Sequence, residues 1–281
     1  MESVPAMGMA GDLPEVLDLA WQKATWACTS AAHDVRMPEV QSTADDWLPT
    51  PHGFTLGEAL FQEAAGLRAG LAGKHVLELG AGTANHSVLI YRSGVASLAM
   101  TEINEERLAT TQRVMSFNGC EANTRYSVAD WLRVQPCPST ADGKYDALVT
   151  NPPFCMSGQA NRRYFIDELI LNGHKVLRAG GLMVWVQSGM ADVNKTFARL
   201  EENGWDGKIA HESRYPWREY YSEDPSFIAE ADAVNERGGE YPGYEMEQTA
   251  AGSGGMEPPR RIEHLFVFQA TLRAFTPHFS H

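Results

Sequence analysis

The stretch His75-Val76-Leu77-Glu78-Leu79-Gly80-Ala81-Gly82-Thr83 passes within nine residues from an apolar run to a glycine loop. The apolar run is too short for a helix and is bounded by glycine, so it reads as a strand. Glycines at the end of such a strand suit a turn where a ligand approaches the main chain, since a side chain would block it. A helix is expected next, from about Thr83 to Arg92. By itself the loop also fits a dinucleotide site, although Asn85 stands where a third glycine is expected.

The same alternation continues downstream. Ser97 to Thr101, Tyr126 to Ala129, Tyr145 to Thr150 and Leu182 to Gln187 read as strands. Between them, Asn104 caps a helix to Phe117 with Glu105 and Glu106 in its first turn, where the helix dipole favours acids. Further helices are expected from Arg162 to Leu177, closing at Gly180-Gly181, and from Val193 to Asn203. Strands alternating with helices imply an α/β, Rossmann-like, doubly wound and mostly parallel sheet. The last strand, His264 to Thr271, has the alternation of an antiparallel edge partner.

Upstream, Leu13 to Ala32 has helical apolar spacing with Asp12 as cap, and Met37 to Phe54 reads as loop because of Pro38, Pro49, Pro51 and Gly53. Thr55 and Glu58 form a capping box for a helix to about Arg68. The organisation expected is an N-terminal helical extension over residues 1–72 and a sheet domain over 73–281, with a cap insertion at about 213–262. Tyr215, Trp217, Tyr220 and Tyr221 crowd into seven residues at the start of that insertion, which carries nine acids and one base between Glu219 and Glu247. These aromatics could line a substrate cap for a cationic guest or pack as ordinary core.

The formal charge is -13, from 36 acids and 23 bases, with no Lys/Arg cluster beyond Arg162-Arg163 and Arg260-Arg261. This argues against nucleic acid, whose binders rely on phosphate neutralisation. No run approaches the length of a membrane span, and residues 1–13 hold no base ahead of an apolar stretch, so neither a membrane segment nor a signal peptide is expected. Cys28, Cys120, Cys137 and Cys155 form no CxxC pair, which speaks against a zinc site or disulfide framework and suits a reducing cytoplasm.

Two further acids sit at strand ends. Glu102 follows Glu78 by 24 residues, where a carboxylate can accept both hydroxyls of a ribose. Asp130 offers an acceptor for an adenine amino group, with the Trp131 ring beside it for stacking. After the next strand comes Asn151-Pro152-Pro153-Phe154. The Asn151 side-chain oxygen and the Pro152 carbonyl can each accept from an N–H, and the prolines fix the backbone that presents them. Phe154 can pack on an acceptor group or offer its ring face to a cation.

With these residues in place, the chain resembles the class I S-adenosylmethionine-dependent methyltransferases of the Asn-Pro-Pro-aromatic, nitrogen-directed type, over roughly residues 73–210 and the last strand. The resemblance implies that Glu78, Gly80 and Gly82 meet the methionine part of S-adenosylmethionine, that Glu102 with Ile103 holds the ribose, and that Asp130 and Trp131 meet the adenine. It implies that Asn151, Pro152 and Phe154, with Tyr221 from the insertion, serve the chemistry, Asn151 also touching the cofactor. Phe54-Thr55 lies where such enzymes often close over the cofactor carboxylate.

The function implied is methyl transfer to a nitrogen of a small amine-bearing molecule. RNA or protein methylation would use the same motif. Proteins similar to this fold, the azetidine-2-carboxylate synthases, instead let the cofactor's own amine attack its γ-carbon and expel methylthioadenosine. The residues leave the acceptor and the oligomeric state open.

Overall fold

The computed structural model describes residues 50–153, 162–218, 221–222, 225–248 and 258–273. The expected helix over Leu13 to Ala32, Phe154, Tyr220, Cys28, Cys155 and the glycine-rich run at 250–255 lie outside the described residues.

The glycine-loop strand, β1 (His75–Leu79), is central. Parallel strands β2 (Ser97–Glu102) and β3 (Thr124–Val128) flank it on one side, and β4 (Tyr145–Thr150) and β5 (Leu177–Ser188) on the other. Beyond β5 lie β8 (Arg260–Leu272), antiparallel to it, and then β6 (Trp205–Pro216), giving the order β3-β2-β1-β4-β5-β8-β6. A short β7 (Glu245–Glu247) also pairs with β8. The doubly wound α/β fold is therefore present. One strand differs from expectation: β8 is interior, and β6, which sequence reading left unassigned, is the edge. With half-exposed positions along most of its length, β6 lacks the apolar run that marks a buried strand.

Alternate residues of each central strand enter different cores, as a period of two requires. Val76, Val149 and Val184 pack on one face with α1 (Pro51–Phe61), α2 (Leu67–Leu71), α3 (Asn85–Arg92) and α4 (Glu105–Phe117). Leu77, Leu148 and Met183 pack on the other with α5 (Tyr164–Asn172) and α6 (Val193–Glu202).

The expectation for α1 needs correction. The helix begins at Pro51, not Thr55, and ends at Phe61. Proline fits the first helical position because its missing N–H would have no partner there. Thr50 is the cap, accepting from the Gly53 amide at 3.4 Å, while the Thr55 hydroxyl donates back to the Pro51 carbonyl at 2.9 Å. Gly66, in the left-handed region at φ +69°, separates α1 and its trailing turn from α2. Likewise α5 stops at Asn172, and β5 starts already at Leu177.

Between β6 and β8 the insertion contains α7 (Pro225–Arg237) and builds a small core of Met190, Phe227, Ala231 and Tyr221. Three of its acids face the protein's own bases: Glu230 meets Arg162 at 2.7 Å, Glu245 meets Arg214 at 2.5 Å, and Glu247 meets Arg260 at 2.9 Å. These carboxylates tie the insertion down, so they give no support to a cationic guest.

Candidate active site

The carboxyl ends of β1, β2 and β4 bring the glycine loop, Glu102 and Asn151 to one edge of the sheet. In open α/β sheets the crevice at the strands' carboxyl ends is where ligands bind. Gly80 and Gly82 both lie in the left-handed region, at φ +67° and +56°, which explains glycine at these positions. A Cβ on Gly80 would meet nothing within 4 Å, so the loop faces open space.

Glu102, only 6% exposed, folds its carboxylate over this loop. Oε1 accepts from the Gly82 amide at 2.6 Å and Oε2 from the Ile103 amide at 3.0 Å. The Ile103 side chain is exposed beside it. Thr111 reaches across from α4 and donates to the Gly82 carbonyl at 2.8 Å. The acid and the loop thus form one hydrogen-bonded unit.

Glu78 lies one layer deeper, with Ser87 Oγ donating to its Oε2 at 2.5 Å. Burial pushes its pKa up from the ordinary 4.5 to about 8; the Ser87 hydrogen bond opposes this and the nearby Glu102 charge adds to it. Asn85, at the start of α3, is 6% exposed, and its Oδ1 is buried with no hydrogen-bond partner. Buried carboxyl and amide oxygens around an open loop fit a cation carrying N–H donors and no phosphate. S-adenosylmethionine has these properties, with its sulfonium and ammonium groups.

Asp130 is largely exposed, 3.7 Å from Arg133, and therefore free to swing onto a ligand. Trp131 takes φ +49° and turns its ring onto Phe165 of α5, with centroids 4.8 Å apart and an edge-to-face arrangement. Its indole N–H is buried without a partner.

Around Asn151, Thr150 anchors the strand end by donating to the Leu79 carbonyl at 3.0 Å, and Pro152 is buried. Asn151 sits under the first turn of α1: a Cβ placed on Gly53 would lie 3.5 Å from Asn151 Nδ2 and 3.7 Å from the His86 ring. His86 Nε2 is 2.7 Å from the Gly53 carbonyl. A carbonyl only accepts, so this nitrogen carries the proton, and burial lowers the ring's pKa and keeps it neutral.

Tyr221 is fully buried, its ring stacked on Phe227 at 4.6 Å. Its hydroxyl belongs to a polar cluster with Arg218, Glu263 and His52, the residue before Gly53. Tyr221 is linked to the Asn151 neighbourhood through two residues, Arg218 and His52, and not directly. Sequence reading finds no sign of Arg218 or Glu263, places Gly53 in a loop, and leaves His52 and His86 as structural or solvated residues. The available signals were the Thr50-Pro51 helix start and an acid, Glu263, inside the apolar run Ile262 to Phe268.

Comparisons with known proteins bear on the family and the fold. Residues 58–204 match the family described as the methyltransferase small domain. A relative in Methanocaldococcus jannaschii, provisionally named a protein N5-glutamine methyltransferase, is 22% identical over 161 residues, spanning 52% of this chain and 78% of the relative. The crystal structure of a protein from Pyrococcus horikoshii, provisionally described as an RNA methyltransferase, superposes with a TM-score of 0.50 at 14% identity, covering 91% of this chain and all of that one. A methyltransferase from Pyrococcus furiosus gives a TM-score of 0.48 at 15% identity over 88% of this chain and 95% of that one. The family match covers more than half of the chain and falls on the glycine loop, Glu102 and Asn151; the protein belongs to the methyltransferase small domain family and is an S-adenosylmethionine-dependent methyltransferase of Rossmann-like fold.

Proposed function

We propose that the enzyme transfers a methyl group to a nitrogen of a small amine-bearing molecule held at Asn151 and Pro152. The observation that carries this reading is Asn151 at the carboxyl edge of β4, under the first turn of α1 and across from the glycine loop. The first turn of α1 packed against Asn151 supports a small acceptor. The relative named for transfer to a glutamine nitrogen supports nitrogen as the target.

The cofactor supplies an electrophilic methyl group on a sulfonium. The residues assigned to it are Glu78, Gly80, Gly82, Glu102, Ile103, Asp130 and Trp131. Glu102 would hold the ribose hydroxyls with the lone pairs that its bonds to the Gly82 and Ile103 amides leave over. Asp130 and Trp131 close on the adenine side. Asn151 Oδ1 and the Pro152 carbonyl would accept N–H bonds from the acceptor and leave its lone pair free for the methyl carbon. Transfer would form the N–C bond as the C–S bond of the cofactor breaks, the nitrogen losing its proton afterwards. Such positioning can be worth roughly 7 to 11 kcal/mol of barrier.

A second reading is favoured by one observation: Asn151 and His86, the latter on the helix that directly follows the glycine loop, both border Gly53. From there Asn151 Oδ1 could hold an N–H of the cofactor's own amine. That nitrogen would then bond to the γ-carbon while the γ-carbon–sulfur bond breaks, releasing methylthioadenosine and a proton. Incubation with labelled cofactor separates the two. S-adenosylhomocysteine that forms only when a free amine is added supports the first reading. Methylthioadenosine from cofactor alone supports the second, and transfer only to a protein or RNA overturns the small acceptor.

A further inference from the structure

Four polar side chains from three distant segments meet out of contact with water. They are His52 on α1, Arg218 and Tyr221 after β6, and Glu263 on β8, each no more than 5% exposed. Arg218 Nη2 lies 3.2 Å from His52 Nδ1 and 3.6 Å from Glu263 Oε2, and its guanidinium covers the Tyr221 ring at 4.5 Å. The Tyr221 hydroxyl, bonded to Arg218, is 3.4 Å from Glu263 Oε1. We propose that Arg218, Glu263 and His52 form a buried positioning unit through which the insertion sets the first turn of α1 against Asn151. This rests on the reading of Asn151 as the residue that holds the reacting nitrogen.

Stability is a poor reason to bury such a pair, because well-packed apolar residues of similar volume often do as well or better. What the pair provides is direction. Glu263 and Tyr221 fix the guanidinium plane, which can only donate, so His52 Nδ1 must accept. The ring proton then sits on Nε2, facing Glu263 Oε1 at 3.9 Å. Burial, with the Arg218 charge adding to it, holds His52 well below its ordinary pKa and keeps this arrangement neutral. The next residue, Gly53, is gripped from the opposite side by His86 at 2.7 Å. The first turn of α1 is thus held by the insertion on one side and by the helix after the cofactor loop on the other. Asn151 lies directly beneath it.

The test uses the full chain with S-adenosylmethionine as probe. Arg218→Met combined with Glu263→Met removes both charges and leaves neither buried alone. His52→Leu removes the acceptor, and His52→Asn restores one. Calorimetry gives the cofactor Kd, single-turnover consumption of labelled cofactor in the presence of a panel of small amines gives the rate, and hydrogen exchange follows the Gly53 and Phe54 amides. The expected result is a cofactor Kd within about twofold of wild type in all variants. The rate should fall by about tenfold or more in the double variant and in His52→Leu, with faster exchange at the two amides, while His52→Asn recovers most of both. A folded double variant with wild-type rate and exchange overturns the proposal, as does faster exchange with an unchanged rate. Failure of the Asn151 reading itself shows separately, as wild-type turnover in Asn151→Ala.

Discussion

The Glu102 carboxylate crosses from the end of β2 to the Gly82 amide, 2.6 Å away, and so joins the acid at one strand end to the glycine loop at the next. A hydrogen bond to a charged group is worth about 1.5 to 3 kcal/mol, and removing the acid loses both the loop contact and the ligand contacts. Glu102→Ala is therefore expected to weaken cofactor binding by about tenfold to a hundredfold. Calorimetry checks this, and the melting temperature without ligand shows how much of the loss is folding.

Glu78 should make both stability and cofactor affinity depend on pH. Its pKa is about 8 in the folded chain against an ordinary 4.5, so the folded state holds the proton more tightly than the unfolded one. Its contribution to stability is full below pH 4.5 and is lost as pH rises toward and through about 8. A bound cation favours the carboxylate, so binding releases a proton, and affinity rises with pH by at most about tenfold per unit until it levels near that pKa. Calorimetry in buffers of different ionisation enthalpy counts the proton, and Glu78→Gln should abolish it.

Gly53→Ala is expected to move stability and activity in opposite directions. Gly53 is helical, and an added methyl would sit at 3.5 Å from Asn151 Nδ2, an ordinary contact the fold accepts. Alanine there should stabilise by about 0.4 to 1 kcal/mol through the unfolded chain. The same methyl fills the space beside Asn151, so turnover should drop by about a hundredfold with cofactor affinity unchanged. Thermal melts beside single-turnover rates read the two effects.

Asp192 links the insertion to the sheet domain. Its Oδ1 caps α6 by accepting from the Lys195 amide at 2.9 Å, and its Oδ2 meets Arg237 at the end of α7 at 2.8 Å. Asp192→Ala should cost about 1 to 2 kcal/mol through the lost cap and make α7 more open to limited proteolysis. Asp192→Asn, which keeps the cap and tolerates the left-handed backbone at φ +60°, should cost less.

Much of this could be read from the chain because the chemistry is local. The glycine loop, Glu102 and Asn151 each follow a short, largely apolar strand, and the cap at Asn104 falls on its expected residue, accepting from the Arg107 amide at 2.9 Å. What escaped was either half-exposed or assembled at long range. Edge strand β6 carries Asp206, Lys208, Glu212 and Arg214 on its solvent side and so has no continuous apolar signal. Pro51 and Gly53 suggested a loop because both disfavour helix interiors, yet both are tolerated in a first turn. His52 meets Arg218 and Glu263 only through the packing of α1 on β8 and the insertion, a juxtaposition no local pattern encodes.

The central claim, nitrogen-directed transfer at Asn151, is tested most directly by product analysis with methyl-labelled S-adenosylmethionine, comparing wild type with Asn151→Ala in the presence and absence of a panel of small amines. The account predicts labelled amine and S-adenosylhomocysteine only when an acceptor is present, a loss of about a hundredfold in Asn151→Ala, and an unchanged cofactor Kd in that variant. Wild-type turnover by Asn151→Ala, or label found only on oxygen, carbon or a macromolecule, would contradict it.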